Sequence, residues 1–148
     1  MKKDPLPTCE FDSDELIVRL DMQFPADVGA LTGVVQRVMD VIRDVGCGQS
    51  KEFEVELGLH EALVNAVVHG CRKDPSKFVQ LTVCCDKSRG ILMIVRDPGP
   101  GFDVHTIPSP VHGENVFSSG GRGIFLINCL MDEVHFRAGG TEIRMVKR

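Results

Sequence analysis

The sequence predicts a two-layer α/β sandwich, with a mostly antiparallel sheet and its helices collected on one face. Three observations carry this. Strand-forming runs at residues 16–22, 78–85, 91–95, 134–137 and 141–146 are interspersed with helical periodicity at 31–45, 50–70 and 123–131. Most of the strands come in adjacent pairs joined by short turns, which builds antiparallel hairpins and not the strict alternation of a parallel doubly wound sheet. The 148 residues, 43% of them hydrophobic, suit one domain with a full core and are too few for two ordinary ones.

Each element has its own reason. Residues 1–13 hold Pro5, Pro7 and several acids without periodicity, a loose lead-in to a single domain over 14–148. Leu16 to Met22 is rich in strand formers, and Pro25 fits the first turn of a helix, where its missing N–H costs little. Leu31, Val34, Val35, Val38, Val41, Ile42 and Val45 then recur at helical spacing, with Gly46 as the stop. Ser50 is the candidate N-cap of a second helix that reaches about Gly70 or Cys71, ahead of Lys73-Asp74-Pro75. Leu57, Leu63 and Val67 are its expected buried side.

Phe78 to Cys85 is a strand, Lys87-Ser88-Arg89-Gly90 a turn, and Ile91 to Val95 the strand running back. Residues 103–119 carry two prolines, Gly113 and several Ser, Asn and His without periodicity. A structureless stretch of this length inside a compact domain is usually functional, often a lid. Gly123 to Met131 reads as a short helix, and Val134–Arg137, Ala138-Gly139-Gly140 and Thr141–Val146 as a closing hairpin.

Composition narrows the function classes. A net charge of −4 gives no global attraction to nucleic acid or to an anionic membrane. No stretch approaches the roughly 18 apolar residues of a transmembrane helix, and the basic start has no apolar run behind it. A cytoplasmic location is the expectation. Of the six cysteines, Cys71, Cys84, Cys85 and Cys129 sit in apolar periodic segments and Cys47 near a helix end. Without a Cys-x-x-Cys pair or a compact Cys/His cluster, reduced and mostly buried thiols are expected, not a zinc site. The adjacent Cys84 and Cys85 should point to opposite faces of their strand.

Three separated segments carry candidate chemistry. Glu61 and Asn65, four residues apart, stack on one face of the second helix, and His69 extends that face by a turn. A carboxamide oxygen is a good Mg²⁺ ligand beside phosphates, and a carboxylate one turn earlier can orient or deprotonate a hydroxyl. Asp97 ends an apolar strand, where a fixed acceptor can take a hydrogen bond from an exocyclic amine. Gly99 and Gly101 allow positive φ or close approach to a flat ring. Gly120-Gly121-Arg122-Gly123 precedes the apolar run from Ile124. Bare N–H groups at a helix start bind phosphate oxygens, and Arg122 offers a charge-assisted contact to a terminal phosphate. Read singly, these are an exposed polar pair with a helix-end histidine, an Asp-Pro-Gly turn and a glycine hinge. Together and in this order they are the parts of an ATP–Mg²⁺ site.

The three segments resemble the N box, G1 box and G2 box of the GHKL ATPase superfamily, and within it the small stand-alone anti-sigma factor serine/threonine kinases. The resemblance runs from about Leu16 to Lys147. It rests on Glu61-x-x-x-Asn65-Ala66-x-x-His69-Gly70, Asp97-x-Gly99-x-Gly101-Phe102-Asp103, Gly121-Arg122-Gly123, Leu130-Met131-Asp132-Glu133-Val134 and Gly140-Thr141-Glu142.

The resemblance implies that Glu61 is the general base and Asn65 the Mg²⁺ ligand. It implies that Asp97 binds the adenine amine, helped by Thr141 directly or through water. His69, Gly99, Gly101, Gly120, Gly121, Arg122, Gly123 and Ile124 complete the implied nucleotide contacts, under an ATP lid at about 103–121. The implied activity is phosphorylation of a small anti-sigma antagonist protein, with a sigma factor as the other partner and a homodimer as the assembly. Two other readings stand beside it. One is a nucleotide-responsive interaction module without phosphotransfer, which has no need of Glu61. The other is a detached histidine kinase catalytic domain, against which stand the short lid and its lack of a Phe-Pro motif.

Overall fold

In the computed structural model, residues 16–48, 50–101 and 119–148 are described, apart from the side chains of 119–122. β1 (Leu16–Pro25) alternates inward and exposed positions, and Val18, Leu20, Met22 and Phe24 face the core. Its period of two puts one side on apolar neighbours and leaves Arg19 and Asp21 on the other. Pro25 lies in this strand opposite Phe78, not in a helix. β1 is an edge strand, and the end of an edge strand tolerates a missing N–H as well as a helix start does. A single 3₁₀ turn, Val28–Ala30, makes the change of direction, and Asp27 caps it by accepting the Gly29 N–H at 2.9 Å.

α1 (Leu31–Asp44) buries Leu31, Val34, Val35, Val38, Met39 and Ile42 as one stripe and stops before Gly46, whose φ is +73°. α2 (Glu52–Asn65) starts later than expected. Ser50 has a φ of +62°, Lys51 takes the N-cap position, and no side chain caps the helix. Glu52 and Glu54 in the first turn complement its exposed amides instead. The helix buries Val55, Gly58, Leu59, Ala62 and Leu63 because α1 flanks it on one side and α3 (Ser119–Leu130) on the other. Leu57 is only half-buried, lining a surface groove of 260 Å³ with the exposed Phe53 and with Thr32, Val35 and Gln36 of α1.

The remaining strands are β2 (Phe78–Asp86), β3 (Gly90–Arg96), β4 (Glu133–Arg137) and β5 (Glu142–Lys147). They form one antiparallel sheet in the order β1-β2-β3-β5-β4. The β2–β3 turn is set by Asp86, whose Oδ1 accepts the N–H groups of Ser88 at 2.8 Å and Arg89 at 3.0 Å. The two-layer sandwich with helices on one face is therefore observed, and every strand pair in it is antiparallel.

The core lies between the layers. Val79, Leu81, Val83 and Cys85 of β2, Ile91, Met93 and Val95 of β3, and Ile143 and Met145 of β5 meet α1, α2 and Ile127 of α3. Cys84 joins Leu92 and Ile94 on the opposite face, so the two adjacent cysteines do point apart. The thiols are not all reduced: a disulfide joins Cys47, in the turn after α1, to Cys85. Adjacency along the sequence concealed it, since the partner comes from 38 residues away. Among the described residues no helix is long and apolar enough to cross a membrane.

Candidate active site

The end of α2 is not a regular helix terminus. After Asn65 the chain widens into a π turn, Ala66–Gly70, closed by the Cys71 N–H donating to the Ala66 carbonyl at 2.8 Å. Widened turns of this kind recur at functional sites. Glu61 and Asn65 lie on the last two turns of α2, both half-buried. Neither side chain has a hydrogen-bond or ion-pair partner among the described residues. Glu61 faces the start of α3, since a methyl built on Gly123 would stand 3.3 Å from its Oε2. His69 is in the π turn and exposed.

Asp97 extends the β3–β5 pairing by one residue: its N–H donates to the Thr141 carbonyl at 3.0 Å. Its Oδ1 accepts the Gly99 N–H at 2.8 Å, which folds the Asp97-Pro98-Gly99 turn back on its own side chain. Oδ2 has no donor among the described residues. Burial pushes the carboxyl above its ordinary range, while the Gly99 N–H and the positive charge of Lys77 pull it the other way.

Lys77 was not among the sequence candidates. It precedes β2 by one position, and nothing in a lone lysine before a strand signals a neighbour twenty residues further along the chain.

Both turn glycines are required, for different reasons. Gly101 has a φ of +75°. Gly99 is there for closeness, because a Cβ on it would run into the carbonyl oxygen of Gly70 and come within 2.8 Å of Asp97 Oδ1. Thr141 stands beside this turn: its methyl would be 3.3 Å from a Cβ at Gly101, and its hydroxyl donates to the Ala138 carbonyl at 2.8 Å.

The glycine segment departs from expectation. Gly120, Gly121, Arg122 and Gly123 do not form a loop ahead of a helix but make up the start of α3, which begins at Ser119. Glycine's low helix propensity suggested a loop, yet the apolar residues from Ile124 onward draw the segment into the helix, with Ile124 and Ile127 buried. The Arg122 side chain, and all of the expected lid before Ser119, lie outside the described residues.

The structure thus brings Asp97, Gly99, Gly101 and Thr141 together where β3 ends and β5 begins, against the end of α2, and sets Glu61 against Gly123. A fixed acceptor, an unengaged carboxamide and an unengaged carboxylate can between them recognise an amine, ligate a hard cation and accept a proton.

The sequence is similar to known proteins over most of its length. A family profile described as "Histidine kinase-like ATPase domain" matches residues 24–147. The serine-protein kinase RsbW of Bacillus licheniformis is 32% identical over 136 residues, spanning 86% of this chain and 84% of the relative. The serine-protein kinases RsbW of Staphylococcus epidermidis and of Staphylococcus aureus strain MSSA476 are each 27% identical, over 136 and 138 residues, spanning 86% of this chain and 85% of the relative. The matched region contains every residue placed above, from Glu61 to Thr141, together with the whole helix layer and the two strands that hold Asp97. On this ground the chain belongs to the histidine kinase-like ATPase family.

Proposed function

We propose that this protein is an ATP-dependent serine/threonine kinase that phosphorylates a small anti-sigma antagonist protein and also binds a sigma factor. The observation that supports this best is Asp97. It is held from its main chain by Thr141 and through Oδ1 by Gly99, and it leaves Oδ2 for the exocyclic amine of adenine. Relatives named serine-protein kinases favour a serine acceptor over a histidine one.

The residues present fit ATP and Mg²⁺. Asn65 would contribute its carboxamide oxygen to the metal, and the first amides of α3 face where phosphate oxygens are held at a helix start. When bound, Mg²⁺ neutralises charge on the phosphates. Glu61, with no partner of its own, takes the proton from the substrate serine as that oxygen bonds to the γ-phosphorus and ADP leaves. His69, Gly120, Gly121, Arg122, Gly123 and Ile124 complete the nucleotide contacts, Thr141 supports Asp97 at the adenine end, and residues 103–121 close over the nucleotide as a lid. The working assembly is a cytoplasmic homodimer.

The test is calorimetric titration with ATP, with and without Mg²⁺, followed by transfer of labelled γ-phosphate to a purified antagonist protein. Metal-dependent binding and label on an antagonist serine are expected. No heat and no thermal stabilisation at millimolar ATP overturns the proposal. Binding without transfer to any antagonist leaves a nucleotide-responsive interaction module in its place.

A further inference from the structure

We propose that Gly70 is a positioning residue that sets the nucleotide's base selectivity by leaving room for the Asp97 carboxylate. This rests on the reading of Asp97 as the adenine acceptor. Gly70 is not required for its backbone conformation, since it is absent from the positive-φ glycines of the chain. It is required for space. A Cβ built on it would come within 2.5 Å of Asp97 Oδ2 and 2.6 Å of Oδ1, so the carboxylate lies across the bare Cα. Real Cβ atoms essentially never come so close to a non-bonded heavy atom.

The carboxylate has nowhere to retreat without losing its hold. Oδ1 accepts the Gly99 N–H at 2.8 Å, and the main chain of Asp97 is pinned by the Thr141 carbonyl at 3.0 Å. Gly99 is itself pressed against the Gly70 carbonyl. The two glycines therefore lie against each other, and the carboxylate packs against both. A methyl at position 70 forces Asp97 to rotate about its side-chain torsions, which breaks the Gly99 bond or turns Oδ2 away. Recognition by a fixed hydrogen bond tolerates displacement of only about 0.5 Å.

The π turn is what brings this about. Its wide closure, Cys71 N–H to Ala66 carbonyl and Lys73 N–H to Val67 carbonyl, both at 2.8 Å, carries the end of α2 beneath the end of β3. The sequence signature is a glycine immediately after His69 and a second one two residues after Asp97.

The test uses the full chain and its Gly70→Ala variant, with affinities for ATP and GTP measured side by side by calorimetry. The expected result is ATP binding weakened roughly tenfold or more with GTP binding little changed, so that the ATP preference shrinks. A variant that keeps the wild-type ratio, or that loses both nucleotides equally, overturns the proposal. A wild-type protein without any ATP preference instead sinks the reading of Asp97, which is a separate outcome.

Folding is controlled by a double-mutant cycle on melting temperature. Gly70→Ala should lower it in the wild-type background and leave it unchanged in an Asp97→Ala background, where the atoms it meets are gone. Folding of the double variant where Gly70→Ala alone does not fold supports the proposal. Equal loss in both backgrounds places the clash elsewhere and overturns it.

Discussion

Glu61 and Gly123 face each other across the gap between α2 and α3, with Glu61 Oε2 3.3 Å from where a methyl on Gly123 would stand. A carboxylate aimed at the bare start of a helix, with no partner among the described residues, is free to serve a ligand bound between the two. Glu61→Ala is therefore expected to keep ATP affinity close to wild type while phosphotransfer falls by about 10²–10⁴. Binding calorimetry and single-turnover transfer separate the two effects. Normal transfer by the variant removes Glu61 from the role of base.

Asp97→Asn keeps the shape of the side chain but halves its acceptor capacity and removes its charge. One charge-assisted hydrogen bond to the amine is at stake, about 1.5–3 kcal/mol. ATP affinity should fall by one to two orders of magnitude, with the melting temperature of the free protein little changed or raised. The second expectation follows from burial, which already pushes this carboxyl above its ordinary range and so makes its charge a cost to folding. Unchanged ATP affinity would show that the adenine lies elsewhere.

β1 and the first helix were legible in the sequence because burial on one face gives them a period. β2 and β3, buried on both faces, were legible as runs of strand formers between turn residues. Val79, Leu81, Val83 and Cys85 alternate, and Leu31, Val34, Val35 and Val38 recur, whatever else the chain does. The ends of elements were less legible. Ser50 has the chemistry of a cap, but its left-handed backbone places it one residue before the N-cap position, and no local signal distinguishes the two. Pro25 is compatible with two contexts and the sequence rules decide between them weakly. In the site, Asp97 and its two glycines were readable because a turn carries its own chemistry. Relations between segments, such as the charge of Lys77 acting on Asp97, Gly70 against Asp97 or Cys47 bonded to Cys85, were not. They depend on where separate elements meet, which periodicity does not encode.

The Cys47–Cys85 disulfide ties the turn after α1 to β2 across 38 residues of sequence. Restricting the unfolded chain in this way contributes about 2–4 kcal/mol. Cys47→Ser should lower the melting temperature of the oxidised protein by several degrees and have no comparable effect after reduction. Alkylation under denaturing conditions, before and after reduction, counts the two protected thiols directly by mass. Six alkylated cysteines without reductant would show that the bond does not form in solution.

Glu142 lies on the outer face of the sheet between two guanidinium groups, accepting from Arg96 Nε through Oε1 and from Arg144 Nε at 2.9 Å through Oε2. Its side chain is only 4% exposed. Burial alone pushes the carboxyl up, but the two arginine hydrogen bonds outweigh it and hold the group below its ordinary 4.5. A depressed folded-state value means that the unfolded chain takes up the proton first as pH falls. The stabilisation is therefore fully present above about pH 4.5 and is lost as pH drops through the lower, folded-state value. Glu142→Gln should cost about 1.5–3 kcal/mol at neutral pH, the range of a hydrogen bond to a charged group. The difference from wild type should narrow as pH falls below about 4.5 and the unfolded chain takes up the proton. Urea midpoints of both proteins at intervals from pH 7 to about pH 3 measure this, and the other acids cancel in the comparison. A gap that stays constant over that range would mean that the charge on Glu142 does not contribute to the stability of the sheet.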